Sequence, residues 1–209
     1  MGWDILHRCV DLRGIEMKNI KVMIWGFGAM GGTMGRMCAK IEGIEIIAVC
    51  DKNPRNVGRS VADVLKDYAR AEESSSSEEE LPAYLEGVLV QDDIEAILKR
   101  TKIDLALLAT DSFADRAAEK IEMLVKKNIH VISTAEELAY PWASHPTLSK
   151  RLDRMAKDHG VVVLGTGINP GFVMDLLVIA LTGACRRVDS VRVERVNSLS
   201  PYGPTVLEE

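Results

Sequence analysis

The sequence predicts a doubly wound α/β domain, and three observations predict it. Short apolar runs rich in β-branched residues alternate with helix-length segments, a rhythm that builds a parallel sheet covered on both faces. The first run leads directly into a glycine-rich turn, Gly26-Phe27-Gly28-Ala29-Met30-Gly31, that opens the first helix. The second run ends against an acidic residue, Asp51, twenty positions beyond Gly31.

Residues 1–16 show no periodicity and are expected to form a disordered N-terminal extension. Met17-Lys18-Asn19 then leads into a first strand over Ile20–Trp25, followed by a helix from Ala29 to about Ile41. The pattern predicts further strands at Ile44–Cys50, Val88–Val90, Leu105–Ala109, His130–Ser133 and Val161–Leu164, each short and bounded by turn residues. Ala114–Lys127 reads as a helix that turns Ala117, Ala118, Ile121, Leu124 and Val125 inward. Glu72–Glu80, EESSSSEEE, combines a serine run with like charges and is expected to be a mobile surface loop.

After Leu164 a Gly165–Gly171 turn precedes a helix over Phe172–Thr182, and the alternation across Val188–Val196 predicts a strand of a second, half-solvated sheet. A single strand cannot bury its own face. The expected organisation is therefore an extension at 1–16, a nucleotide domain at 17–170, and at 171–209 a linking helix with the first strand of an incomplete α+β substrate and oligomerisation domain.

The 209 residues carry 26 Lys plus Arg against 31 Asp plus Glu, a net charge of −5. That balance argues against a general binder of nucleic acid or of anionic membranes, so an anionic ligand needs a local site. The longest nearly apolar run, Phe172–Ala184, is interrupted by Asp175 and falls short of the roughly 20 residues that span a bilayer. Asp4, His7, Arg8, Asp11 and Arg13 break up any secretory core at the N-terminus. Cys9, Cys38, Cys50 and Cys185 lack CxxC pairing and read as small hydrophobes with reduced thiols, as in a cytoplasmic protein. The four histidines have no spacing that makes a metal site, and no metal is expected.

The glycine triplet Gly26, Gly28 and Gly31, placed between a strand and a helix, is the fingerprint of a Rossmann-type dinucleotide fold. Gly26 permits the tight turn, Gly28 lets backbone approach a diphosphate, and Gly31 lets the helix pack closely. The backbone of Phe27, Ala29 and Met30 joins them at the helix N-terminus, where free N–H groups and the positive dipole end favour an anion. Asp51 is placed to accept hydrogen bonds from the adenosine ribose, which favours NAD, while Lys52 and Arg55 offer cations to a 2′-phosphate and leave NADP open.

In an open α/β sheet, ligands collect at the carboxyl ends of the strands. Thr110 and Thr134 are expected to face the nicotinamide end there. Asp111-Ser112 reads first as an N-cap of the following helix, with contact to substrate or ribose as the alternative. Glu136 and Glu137 are candidates for binding substrate ammonium groups or acting as base, since a desolvated carboxylate titrates high; equally, either could interact with a helix dipole. Thr166, Gly167 and Asn169 precede Pro170 and frame a helix N-terminus suited to a substrate carboxylate or the nicotinamide amide. Tyr140 and Trp142 are expected to wall the pocket or pack in the core. His145 is either a proton relay or structural.

Beyond these local readings, the chain resembles a known family. Ser133-Thr134-Ala135-Glu136-Glu137-Leu138-Ala139-Tyr140-Pro141-Trp142, Gly165-Thr166-Gly167-Ile168-Asn169-Pro170-Gly171-Phe172 and Arg195-Val196-Asn197-Ser198-Leu199-Ser200-Pro201-Tyr202-Gly203-Pro204, together with the glycine turn, are similar to 2,4-diaminopentanoate dehydrogenase, a family close in architecture to dihydrodipicolinate reductase. The resemblance covers about Met17 to Glu209. It implies NAD(P)-dependent oxidative deamination of 2,4-diaminopentanoate to 2-amino-4-oxopentanoate and ammonia in ornithine fermentation, by a homo-oligomer whose members continue past Glu209. The alternatives are a dihydrodipicolinate-reductase-like imine reductase and a non-catalytic NAD(P)-binding module.

Overall fold

The computed structural model describes residues 19–71 and 80–196. The extension at 1–16, nearly all of the Ser/Glu loop and residues beyond 196 lie outside the described residues. Six strands, β1 (Ile20–Trp25), β2 (Ile44–Cys50), β3 (Val90–Gln91), β4 (Leu105–Leu108), β5 (His130–Ser133) and β6 (Val163–Gly165), form one sheet in the order β3-β2-β1-β4-β5-β6, with all ladders parallel. This is the Rossmann order, which reverses direction between β1 and β4 and opens a crevice there.

Alternation along the strands builds the two faces. Val22 and Ile24 of β1 enter one core with Ile46, Val49, Val61, Val64 and Leu65; Met23 and Trp25 enter the other with Ala106, Leu108 and Val131. The first face is covered by α1 (Ala29–Cys38) and α2 (Val61–Ala71), the second by α3 (Ile94–Arg100), α4 (Ala114–Val125) and α6 (Pro146–Asp158), the last of which follows the short α5 (Pro141–Ser144). In α4 the five residues expected to point inward are all buried, as is Ala114.

β4, α1 and α4 stop one to three residues short of their expected ends, at Leu108, Cys38 and Val125, and three further elements differ from expectation for identifiable reasons. The strand expected at Val88–Val90 shifts to Val90–Gln91, because the Val88 carbonyl accepts from Val61 N at 2.8 Å and Leu89 bridges Ser60 in the antiparallel sense. The last strand starts at Val163 because Val161 N is taken by Ala156 O at the end of α6. Val188–Val196 forms no ladder: its period-2 alternation meets no partner strand among the described residues.

Beyond β6 the helix expected over Phe172–Thr182 is present. Pro170 (ψ 161°) and Gly171 (φ 126°) are not helical; helical turns begin at Phe172 and pass into α7 (Leu177–Thr182). Their apolar side chains stay outside both cores, with Ile168, Phe172, Leu176, Ile179 and Leu181 half or more exposed. No helix among the described residues is long and apolar enough to cross a membrane.

Candidate functional site

The last residues of the strands share one rung. Gln91 pairs with Cys50, Cys50 with Trp25, Trp25 with Leu108, Leu108 with Ser133, and Ser133 with Gly165. The segments that leave this rung therefore start in line along one edge of the sheet: Gly26, Asp51, Ala109 with Thr110, Thr134 and Thr166. At a strand spacing of about 4.8 Å, Asp51 and Thr166 begin roughly 20 Å apart along it.

Gly26 makes the turn at the switch point. Its φ of +92° is open to glycine, and a Cβ there would lie 2.4 Å from the carbonyl oxygen of Ala109. Gly31 gives the close approach, since its Cβ would stand 1.9 Å from Gly26 O. Gly28, the N-cap of α1, has no side-chain cap; a Cβ on it meets nothing within 4 Å among the described residues. Gly28, Ala29 and Met30 are exposed, whereas the Phe27 ring is fully buried. The first turn of α1 carries no acidic residue, so its amides face outward without a carboxylate of their own turn.

Asp51 Oδ2 accepts from the Phe27 amide of that turn, and Oδ1 accepts from Asn53 N at 2.6 Å. An ionised carboxylate has about four lone-pair sites, so two backbone donors leave capacity for ribose hydroxyls. Lys52 and Arg55 beside it are exposed. On its carbonyl side, Phe27 accepts from Tyr68 Oη at 2.7 Å and from Asn56 Nδ2 at 3.1 Å. Sequence reasoning missed both residues, because Tyr68 reads as one more apolar position of α2 and Asn56 as one more loop residue.

The β4 loop departs from expectation. Asp111 does not cap α4, whose N-cap is Phe113; its carboxylate instead accepts from Lys120 Nζ and from Thr110 Oγ1. Burial works against the Asp111 charge, but the Lys120 and Thr110 hydrogen bonds and the charges of Lys120 and Arg116 outweigh it and hold the carboxyl below the usual range. Thr110 is thus oriented by its neighbour. The amide at the α4 N-terminus is taken by a residue of the next loop: Glu137 Oε2 accepts from Ala114 N at 2.7 Å.

Glu137 and Glu136 therefore differ. Glu137 is half-buried against α4, with His145 Nε2 3.6 Å from the same oxygen and Ser144 Oγ 2.9 Å from His145 Nδ1. Glu136 is exposed. Thr134 continues the β4–β5 ladder through its N–H to Leu108 O at 3.0 Å. Tyr140 and Trp142 are not core residues, being 71% and 46% exposed; with Val162 and Leu164 they line a depression at the β6 edge.

Thr166 N donates to Ser133 O at 2.9 Å, which extends the ladder to the start of the last loop. Gly167 and Asn169 follow in extended backbone. The helix N-terminus they were expected to frame lies farther on and is partly used, because Asp175 Oδ2 accepts from Gly171 N at 2.7 Å. An anion arriving there meets that carboxylate. Among the described residues no cluster of three or more His, Cys, Asp or Glu is arranged to hold a metal ion.

Residues 17–137 match the family model described as a CoA binding domain, and residues 172–209 match the 2,4-diaminopentanoate dehydrogenase C-terminal domain. The chain is 44% identical over 193 residues to 2,4-diaminopentanoate dehydrogenase of Acetoanaerobium sticklandii, covering 92% of this chain and 50% of that protein. It is 26% identical over 188 residues to an amine dehydrogenase of Streptomyces virginiae, covering 88% and 47%. The solved amine dehydrogenase of Mycobacterium smegmatis superposes with a TM-score of 0.68 at 27% identity, over 82% of this chain and 46% of that one. The chain spans about half the length of the curated relatives it matches.

Proposed function

Because the chain belongs over residues 17–137 to the family described as a CoA binding domain, and is 44% identical to a 2,4-diaminopentanoate dehydrogenase of which it covers half, we propose that it binds NAD or NADP along the carboxyl edge of its sheet. The activity it serves is oxidative deamination of a small diamino acid, 2,4-diaminopentanoate: loss of hydride from C4 leaves an imine, and water hydrolyses that imine to 2-amino-4-oxopentanoate and ammonia. The observation that carries this reading is the glycine turn at the β1/β4 switch point: a Gly28 with open space over it, the uncapped amides of α1 behind it, and Asp51 one strand away. Those residues fit a dinucleotide, with anion donors and a ribose acceptor on adjacent strands.

When bound, the nicotinamide supplies the hydride acceptor. The chain's residues hold and orient. The amides from Gly28 to Met30 take the diphosphate and Asp51 the adenosine ribose, while Thr110 and Thr134 border the nicotinamide end. A substrate ammonium titrates near about 10.4 and must lose its proton before hydride leaves the adjacent carbon. Glu136 and Glu137 supply the carboxylates for this. Glu136 is the one not already accepting from Ala114 N, so it takes the proton while Glu137 holds the loop. Thr166, Gly167 and Asn169 contact the substrate. The same reading assigns 1–16 to an extension, 17–170 to the nucleotide domain, and 171–209 to the passage into a substrate and oligomerisation domain.

Titration of this chain with NADH and NADPH tests the binding half. Saturable binding is expected, with Asp51→Ala moving the NADH/NADPH affinity ratio toward NADPH. No binding of either overturns the reading, and an unchanged ratio removes Asp51 from the ribose. The match to a CoA binding domain favours a second reading, CoA itself, and CoA belongs in the same titration. Its 3′-phosphate would approach the Asp51 carboxylate, so NADH is expected to bind more tightly.

A further inference from the structure

We propose that Tyr68 and Asn56 are positioning residues of the dinucleotide site, which aim the Gly28 amide at the ligand by locking the peptide that carries it. The inference rests on the dinucleotide reading of the turn. It adds two residues from outside the glycine motif and a stated way in which they act.

A trans peptide is planar, so the Phe27 carbonyl and the Gly28 N–H lie in one plane and point in opposite directions. Whatever fixes the carbonyl fixes the amide. Gly28 itself offers no side chain to do so, and glycine is the residue most free to turn. In the structure the Phe27 oxygen accepts two hydrogen bonds, from Tyr68 Oη at 2.7 Å and Asn56 Nδ2 at 3.1 Å, which use both of its lone pairs. Asn56 Nδ2 also donates to Tyr68 Oη at 3.2 Å, so the two side chains hold each other. The preceding peptide is pinned as well, by Asp51 on Phe27 N.

Packing makes this clamp stiff. The Phe27 ring is fully buried and meets the Tyr68 ring edge-on at 6.3 Å and 86°. Asn56 is 5% exposed, and a buried amide of that kind holds its geometry because losing its partners is costly. Gly32 of α1 makes the room, since a Cβ there would stand 2.6 Å from the Tyr68 ring. With the carbonyl held toward α2, the Gly28 N–H faces the open side of the turn, so binding does not have to order it.

The test compares Tyr68→Phe, Asn56→Ala and the double variant with a control, Tyr84→Phe. Tyr84 also uses its hydroxyl on backbone, accepting from Ile46 N at 3.3 Å away from the turn. NADH and NADPH affinities and melting temperatures are measured on the same chain. Tyr68→Phe keeps the ring and is expected to weaken both dinucleotides about fivefold with their ratio unchanged, as loss of one neutral hydrogen bond allows. The double variant is expected to be weaker still. The control is expected to lower the melting temperature and leave both affinities alone. Tyr68→Phe binding like the parent overturns the proposal, and so does a control that loses as much affinity. Failure of the parent chain to bind either dinucleotide sinks the reading on which the proposal stands and is seen separately.

Discussion

Replacing Glu137 distinguishes a side chain that builds the site from one that does chemistry in it. Its carboxylate accepts from Ala114 N, the first residue of α4, and Ala114 is fully buried. That helix has no side-chain cap of its own, and it delivers Ala117, Ala118, Ile121, Leu124 and Val125 to the larger core. Glu137→Ala leaves a buried donor without its acceptor and takes a negative charge from the positive end of the helix. Loss of a cap costs about 0.5–2 kcal/mol and the dipole interaction adds about 0.3–1 kcal/mol. The side chain is 39% exposed, so water can replace part of the contact, and a total of about 1–1.5 kcal/mol follows.

Glu137→Gln keeps an acceptor at the same reach and loses the charge, so about half of that cost is expected. Urea unfolding of the three proteins, with thermal melts falling by roughly 2–5 °C for the alanine variant, measures both. Alanine and glutamine variants as stable as the parent would refute the capping role. Equal losses for the two would show that charge, and not the hydrogen bond, is what α4 uses.

Gly26→Ala forces a side chain into the Ala109 carbonyl at a positive φ, with an expected cost of about 2–3 kcal/mol in urea unfolding; Gly28→Ala meets open space and is expected to change stability by less than about 0.5 kcal/mol. Asp111 is held below its ordinary value of 3.8 in the folded state, so its contribution is full above that value and is lost as pH falls through the lower folded-state value. Asp111→Asn is therefore expected to lower stability at neutral pH and to flatten the loss of stability below about pH 4, read from melts across an acid series. Burial first, then the charges of Asp51, Asp92 and Asp93, pushes the Cys50 thiol up to about 11. At pH 8 about one thiol in a thousand is then ionised, so iodoacetamide is expected to label the exposed Cys185 and spare Cys50 in the native protein, as peptide mass mapping would show.

The parts of the fold that could be read from sequence are those written in local periodicity. Ile20–Trp25, Ile44–Cys50 and His130–Ser133 fall on their expected bounds because each is a buried parallel strand with turn residues at both ends. Val188–Val196 carries an equally clear alternation and forms no ladder, because periodicity states which face a strand would bury and not whether a partner is there. The glycine turn was legible for the same local reason. Its clamp was not: Asn56 and Tyr68 reach Phe27 across 29 and 41 residues, and Glu137 reaches Ala114 across 23. Cap rules look three or four residues ahead, so by them Asp111-Ser112 reads as the cap, and they do not reach Lys120, nine residues on.

These long-range bonds divide the edge of the sheet into two kinds of site. Around β1 and β2 the binding groups are backbone amides and the Asp51 carboxylate, and the peptides flanking Phe27 are held by the buried Asn56 and the half-buried Tyr68 and Asp51, so these contacts all come from the described chain. Around β5 and β6 the candidate groups are an exposed Glu136, an extended Gly167 and Asn169, and a helix whose apolar residues are half or more exposed. Exposed apolar surface of that kind does not fix a side chain to the fraction of an ångström that catalysis requires. On the proposed dinucleotide reading, polar substitution of Ile168, Phe172 and Leu176 is therefore expected to leave NADH affinity unchanged, and a loss of affinity in those variants would show that the two halves of the edge are coupled.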